Sequence, residues 1–440
     1  MDQLTRHLLD KEVKEFIDSI DPSLVCKLAS SLHPEKKPCQ IFSDTKRGSY
    51  NICFPVEFTD HESAQRPEQW MIRIPLLPRL AFPEEKNAKY IAEKTTIPIP
   101  RIFGYTITRD NLLGLPFLAL EYITGKTLHG TDVPRLSKEL RSHLFGQLSE
   151  IYIQLYRQQF SQIGALTLDS NDENSTVDYA YTVLKLVFND FYRGKDSVSG
   201  EKDAWNYLYG IFASQGIVME WVDQAYNHGP FILMHGDLRP PNIFVDENLN
   251  IVSVIDWEWS HTVPSQMFLP PSWITGQELL NATKWPDHLA FKSDVFQFWA
   301  DAREWEDRHH NPDKKISALL PLTTLWTELL LSDTVFIAYA LLKPCYLGNV
   351  YWNLLDNTYY GNNPDKRVES FFELKLRRPQ EKELQRVLSD LETFRKDLAL
   401  VGLDPEFLEP PTPQPAKPNE SDIPSKDSGP ATCSRLLHHG

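Results

Sequence analysis

No apolar run in this 440-residue chain approaches 18 residues, so nothing in it reads as a helix that spans a bilayer. Cysteine is scarce and scattered: Cys26, Cys39, Cys53, Cys345 and Cys433 form no CxxC pair, which leaves neither a zinc site nor a disulfide framework to expect. Reduced thiols in an intracellular protein are the simplest account. The first residues, MDQLTRHLLDKEVKEF, lack the apolar core of a secretory signal, so a cytoplasmic location is expected and the sequons at Asn174, Asn281 and Asn419 read as coincidental. Basic charge is outnumbered, with 45 Lys and Arg against 60 Asp and Glu and a net charge of −15. That balance argues against nucleic acid or an anionic membrane as the main partner, and suits cationic small molecules slightly better. There is no GxxxxGK[ST], no GxGxxG opening a βαβ unit, no GxSxG and no HExxH, so the common competing catalytic classes lack their residues. No repeat period runs along the chain, and a monomer is the working expectation.

What is present is a folded composition, 41% hydrophobic with 11 Trp, and one stretch around which the rest can be organised: LMHGDLRPPNIFVDENLNIVSVIDWEW, Leu233–Trp259. Phe231–Met234 is an apolar run ending in His235-Gly236-Asp237. Pro240 and Pro241 stiffen the next loop, because each fixes its own φ and restricts its predecessor. Ile243–Val245 and Ile251–Ile255 flank a turn composition and are expected to pair as a hairpin, with Asn242 and Asp256 at one mouth and Asp237 close to both. Carboxylates and an amide oxygen gathered at strand ends suit a hard cation such as Mg²⁺, which leaves room for phosphate oxygens. A carboxylate not needed as a ligand can orient a hydroxyl and take its proton. The bland reading, a surface hairpin whose Asp and Asn residues cap turns, explains poorly why four polar groups gather between buried strands.

At these residues the chain resembles the aminoglycoside phosphotransferase (APH) family of the protein-kinase-like superfamily: His235-Gly236-Asp237-Leu238, Asn242, then Ile255-Asp256-Trp257-Glu258. The resemblance implies an α+β, bilobal protein-kinase-like fold, with a small β-rich N-lobe and a larger, mostly helical C-lobe. It implies that Asp237 is the catalytic base, that Asn242 and Asp256 hold Mg²⁺, and that His235 is a structural residue of the catalytic loop. The reaction it implies is transfer of the ATP γ-phosphate to a hydroxyl of a small-molecule acceptor. Choline or fructosamine-type kinases share the pattern. A non-catalytic pseudokinase serving as a binding module is the reading from another class.

The remaining segments follow in order. Residues 1–38 read as helical. From Cys39 to Thr59 strands alternate around Lys46-Arg47-Gly48-Ser49, which in a kinase-like small lobe would cover the nucleotide phosphates with backbone N–H groups. Arg73, in the strand WMIRI, stands where the family expects a basic residue, usually Lys, on the α/β-phosphates; Arg differs from Lys in reach and geometry. Glu84 on the following charged helix is its expected partner by family register, with Glu85 in reserve. Leu115–Ile123 reads as the last N-lobe strand and hinge. Glu121, Tyr122 and Ile123 are placed there by the resemblance, with Tyr122 and Ile123 lining an apolar slot for the base.

The C-lobe, 126–403, opens with a buried helix carrying Leu144, Leu148, Ile151 and Leu155 at helical spacing. Two aromatic-rich helices, Val177–Tyr192 and Ala204–Ala225, read as core in the absence of a basic patch. Ser260–Gly276 takes the place of an activation segment, without phosphosite logic, so constitutive activity is expected. Residues 288–310 and 316–343 read as helices, the first with a solvated acidic face (Asp294, Asp301, Glu304, Glu306, Asp307), and a last helix covers Pro379–Leu400. Residues 404–440, rich in proline and serine, read as a disordered tail.

Overall fold

The computed structural model describes residues 2–59, 67–79, 89–165, 175–284, 286–309, 320–332, 334–361 and 363–404. The expected tail beyond residue 404 therefore lies outside the described residues, as do Glu84 and Glu85. The architecture is α+β and bilobal, with an antiparallel N-lobe sheet and a largely helical C-terminal region.

The N-lobe sheet comprises β1 (Cys39–Ile41), β2 (Lys46–Arg47), β3 (Asn51–Phe58), β4 (Gln69–Pro75), β5 (Ile102–Thr106) and β6 (Phe117–Glu121). Its order is β1-β3-β4-β6-β5, with β2 paired to β3, and all pairings are antiparallel. The period-2 alternation of a strand separates two faces. Ile52 pairs with Ile74, Phe54 with Ile72 and Val56 with Trp70, and all six side chains are buried on one face. Trp70 stacks on Phe103 at 4.0 Å between ring centroids and meets Phe58 edge-on at 4.7 Å. Truncating such a buried Trp typically costs about 3–5 kcal/mol. Arg73 falls on the other face, toward the cleft.

Two N-terminal helices, α1 (Gln3–Asp18) and α2 (Pro22–Leu32), complete this core through Val13, Val25, Leu28 and Ala29. Both start on capped Asp residues: Asp2 accepts from the Thr5 N–H and Asp21 from the Ser23 N–H, each at 2.8 Å, and Pro22 occupies the first turn, where no N–H is needed. Asp10 of α1 takes Arg79 and, at 3.4 Å, Arg47, so the helix is also pinned by charge.

Helix α3 (Lys89–Lys94) and the Ile97-Pro98-Ile99-Pro100 run behave differently. Ile91 and Ile97 are buried in the C-lobe core, and the Pro98 carbonyl accepts the Val254 N–H at 2.8 Å. The chain returns through β5 and β6 and crosses again at residues 122–125. Gly125 is required there: a Cβ would lie 2.9 Å from the Val245 carbonyl oxygen.

Beyond the hinge lie β7 (Lys126–Thr127), α4 (Lys138–Tyr156), β8 (Gln159–Phe160), β9 (Gly164–Ala165), α5 (Thr176–Arg193) and α6 (Glu201–Trp221). Strands β10 (Phe231–Met234), β11 (Ile243–Val245), β12 (Ile251–Val254) and β13 (His261–Pro264) follow. The expected hairpin forms, Ile243 opposite Val254 and Phe244 opposite Ser253, with an irregularity at Val245. The three strands of the central stretch do not share one sheet, however. β11 and β12 join β7, whereas β10 sits between β8 and β13 in a second sheet that ends on β9. The polar loop 235–242 therefore bridges two small sheets. The segment after Trp259 is packed down, with Met267, Phe268 and Leu269 buried; the Phe268 carbonyl accepts from Trp326 Nε1 at 2.7 Å and the Pro270 carbonyl from the Tyr339 hydroxyl at 2.8 Å.

Next come α7 (Leu279–Ala282), α8 (Asp287–Arg308), α9 (Leu322–Leu330) and α10 (Val335–Leu342). The single helix expected over 316–343 is broken. Ser332 Oγ accepts the Thr334 N–H at 3.1 Å and contacts Thr334 Oγ1 at 2.8 Å, the side-chain competition by which Ser and Thr interrupt a helix. Among the described residues no single helix is long and apolar enough to cross a membrane; α9 and α10 reach that apolarity only together, and their apolar residues are largely buried in the core. The region 344–377, for which the sequence offered no reading, holds short helices and a π-helical turn, Tyr351–Leu355, before the final helix Arg378–Leu400.

Candidate active site

The loop that follows β10 is held by its own backbone. His235 is fully buried, its Nε2–H donates to the Ile255 carbonyl at 2.8 Å, and its Nδ1 accepts the Asp237 N–H at 3.2 Å. These partners fix the tautomer, and burial pushes the imidazole below its usual pKa, so the ring is a neutral bracket between loop and hairpin. Trp257 packs on it at 4.4 Å between ring centroids. Gly236 has φ of +75°, and a Cβ there would stand 2.1 Å from the Trp259 carbonyl oxygen. Only glycine lets the loop pass this close, and the passage turns Asp237 into the cleft.

Asp237 receives the Arg239 Nε–H and the Asn242 Nδ2–H, each at 3.0 Å and both on Oδ2. Its Oδ1 has no hydrogen-bond partner among the described residues. Asn242 also donates to the Asp237 carbonyl at 2.8 Å. With its amide nitrogen so fixed, the Asn242 side-chain oxygen is the atom left to ligate. Across the hairpin, the Ile255 N–H donates to the Asn242 carbonyl at 2.9 Å and delivers Asp256 to the same mouth. Asp256 is left-handed (φ 67°, ψ 43°), a conformation Asp tolerates, and it opens the short turn Trp257–Trp259.

That turn faces the N-lobe. Arg73, 8% exposed, places Nη1 2.6 Å from Asp256 Oδ1 and Nη2 2.6 Å from Glu258 Oε1. Burial opposes its charge, but the Glu258 and Asp256 carboxylates outweigh that penalty and raise its pKa above even the usual arginine value. Arg73 Nε–H is buried and finds no acceptor among the described residues. A phosphate oxygen is the kind of acceptor such a donor takes.

The hairpin over the cleft turns at residues 48–51, closed by the Gly48 N–H on the Asn51 carbonyl at 2.9 Å. That N–H is thus internal to the turn, unlike the phosphate-facing donor expected of Gly48. The Ser49 carbonyl accepts Arg79 Nη1 at 3.2 Å, and Lys46 Nζ lies 5.6 Å from the Tyr122 ring centroid. In the hinge, the Glu121 and Tyr122 N–H groups are engaged by the Arg101 and Gln69 carbonyls, while the Ile123 N–H has no such bond among the described residues. Tyr122 meets Phe42 edge-on at 5.1 Å, so two aromatics roof the entrance beside the half-buried Ile123.

The cluster therefore unites Asp237, Asn242, Asp256 and Arg73, with His235 behind them. Lys46, Gly48, Ser49, Glu121, Tyr122 and Ile123 lie on the hairpin and hinge above. Three residues without an assigned role join it: Arg239, Glu258 and Asn51. A buried strand arginine needs counter-charge, and the carboxylate two residues after Asp256 was the available signal. The acidic residues of α8 are accounted for structurally. Glu306 caps α9 through the Leu322 and Thr323 N–H groups at 3.0 and 3.1 Å, Asp307 and Glu304 pair with Arg303 and Arg308, Asp294 faces Arg141, and Asp301 accepts from Gln297 Nε2 at 3.3 Å.

Among the described residues no group of three His, Cys, Asp or Glu side chains could hold a metal. Mg²⁺ needs no such cage, since it is commonly held by one or two carboxylates, waters and substrate phosphates. The hard oxygens of Asn242 and Asp256 fit it.

Several comparisons bear on this arrangement. Residues 62–264, slightly under half of the chain, match the model of the phosphotransferase enzyme family, APH. No curated protein matches the chain significantly in sequence. Among solved structures, a candidate aminoglycoside phosphotransferase from Ralstonia eutropha JMP134 is 12% identical, with a TM-score of 0.47 over 85% of this chain and 99% of that one. Choline kinase from Cryptosporidium parvum Iowa II is 11% identical, with a TM-score of 0.43 over 87% and 97%. Ethanolamine kinase from Plasmodium vivax is 13% identical, with a TM-score of 0.39 over 80% and 82%. The matched segment holds Arg73, the hinge, the 235–242 loop and the turn of Asp256, so residues 62–264 are similar to the phosphotransferase enzyme family over the stretch that builds this site.

Proposed function

We propose that this protein is a small-molecule kinase that transfers the γ-phosphate of ATP, with Mg²⁺, to an acceptor hydroxyl. One observation carries the reading. Both donors to Asp237 sit on Oδ2, so Oδ1 is left for an incoming hydroxyl beside the Asn242 and Asp256 oxygens. Bound Mg²⁺ would neutralise charge on the phosphates, held by Asn242 and Asp256. Asp237 would orient the acceptor hydroxyl and take its proton, while Arg239 and Asn242 keep the carboxylate aimed. Arg73 would supply fixed positive charge, its Nε–H meeting phosphate, and the Ile123 N–H would read the base edge at the hinge. Most of the rate then comes from positioning and charge neutralisation. Amino-sugars, cholines and ketoamines are the acceptor classes to test.

A second reading has a specific observation behind it. Arg73 already holds one oxygen of Asp256, which favours a pseudokinase that binds nucleotide without metal. Untargeted metabolite phosphorylation separates the two. The enzyme reading expects a phosphorylated product with wild type and none with Asp237→Asn. A nucleotide-induced thermal shift that is indifferent to Mg²⁺, with no product from either protein, decides for the binding module.

A further inference from the structure

Glu84, the expected partner of Arg73, lies outside the described residues. Among the described residues the partners of Arg73 come from the other lobe. We infer that Glu258 is the positioning residue for Arg73, and that with Asn51 it latches the hairpin over the cleft to the turn that carries Asp256. This rests on the nucleotide-binding reading above.

The geometry has three parts. Asp256 and Glu258 lie two residues apart in a tight turn whose first residue is left-handed, which directs both carboxylates at one guanidinium, each at 2.6 Å. Asp256 is the more open of the two, its side chain 26% exposed against 10% for Glu258. When Asp256 turns to a cation, Glu258 is the anchor that remains. Finally, Asn51 Nδ2 donates to the same Glu258 Oε1 at 3.3 Å, and the neighbouring Tyr50 ring leans on Trp259 at 5.3 Å. The hairpin turn 48–51 and the strand cation are thus referred to one carboxylate of the C-lobe. Glu258 sets where the roof sits and frees Asp256 for metal. A charged side chain that served only to neutralise Arg73 would not need the hairpin's amide on the same oxygen.

The test compares wild type, Glu258→Gln and Asn51→Ala in steady-state kinetics and in ATP binding, measured by thermal shift with and without Mg²⁺. Glu258→Gln keeps the shape and removes the charge, so Arg73 falls back on Asp256. The expected result is a rise of tenfold or more in KM for ATP, a higher Mg²⁺ requirement, kcat changed far less, and weaker ATP binding in the absence of Mg²⁺. Asn51→Ala leaves the ion pair intact and is expected to raise KM for ATP about threefold with kcat held, which keeps the test open should Glu258→Gln fold poorly. Unchanged KM and unchanged Mg²⁺-free binding in both variants overturn the latch. So does a Glu258→Gln protein that loses Mg²⁺ affinity alone, because Glu258 would then act as a metal ligand. A wild type that neither binds nor consumes nucleotide overturns the functional reading and the latch together.

Discussion

The floor and the roof of the cleft hold their polar groups by different means. On the floor, Asp237, Asn242 and His235 are tied by hydrogen bonds within the same lobe, to backbone and side-chain atoms between residues 235 and 255. On the roof, Arg73 and Asn51 have their partners across the cleft, on Asp256 and Glu258. A floor built on local hydrogen bonds is organised as soon as its own hairpin forms. A roof built on inter-lobe pairs has its geometry only when the lobes are together. One half of the site is therefore pre-organised, and the other is positioned by it.

This contrast is open to attack in four ways. The floor should carry turnover: Asp237→Asn is expected to lower phosphoryl transfer about 10²–10⁴-fold while ATP still shifts the melting temperature, as general-base loss does. Equal loss of binding would show that floor and roof are not separable. The roof should carry inter-lobe stability: Arg73→Met strands two carboxylates, for which about 3–5 kcal/mol is expected. Urea unfolding measures it, and a change below 1 kcal/mol would mean that solvent reaches the pair. Within the floor, Gly236→Ala meets the Trp259 carbonyl and a disfavoured φ; about 1–3 kcal/mol is expected, with turnover falling further than stability. The smallest effect concerns pH. Burial lowers the pKa of His235 and His261 in the folded protein, whereas both titrate near 6.5 when unfolded. The unfolded chain then binds more protons, so this stability is full above about pH 6.5 and is lost as pH falls through the folded values. Thermal melts between pH 7.5 and 5 should show the decline, and His235→Gln should flatten part of it.

The floor was legible in the sequence because its order is local. His235, Gly236, Asp237, Asn242 and Asp256 lie within 22 residues, and a hairpin register fixes who faces whom. The roof was legible only by position. Strand alternation places Arg73 toward a cleft, but nothing in WMIRI says which carboxylate crosses to meet it, and Glu258 lies 185 residues away. The split of β10 from β11 and β12 escaped for the same reason: its partners, at 159–160 and 261–264, are two and four residues long, too short for periodicity to register. The break at Ser332 depends on side-chain hydrogen bonding that an apolar pattern hides.

The two crossings between the lobes carry a mechanical consequence. One, at Pro98, is fastened to β12; the other, at Lys126–Thr127, is fastened to β11. Both fixings are on a single hairpin. The hairpin that presents Asn242 and Asp256 is thus also the seat on which both crossings rest, so a change that displaces it moves the floor of the cleft and the footing of its roof together.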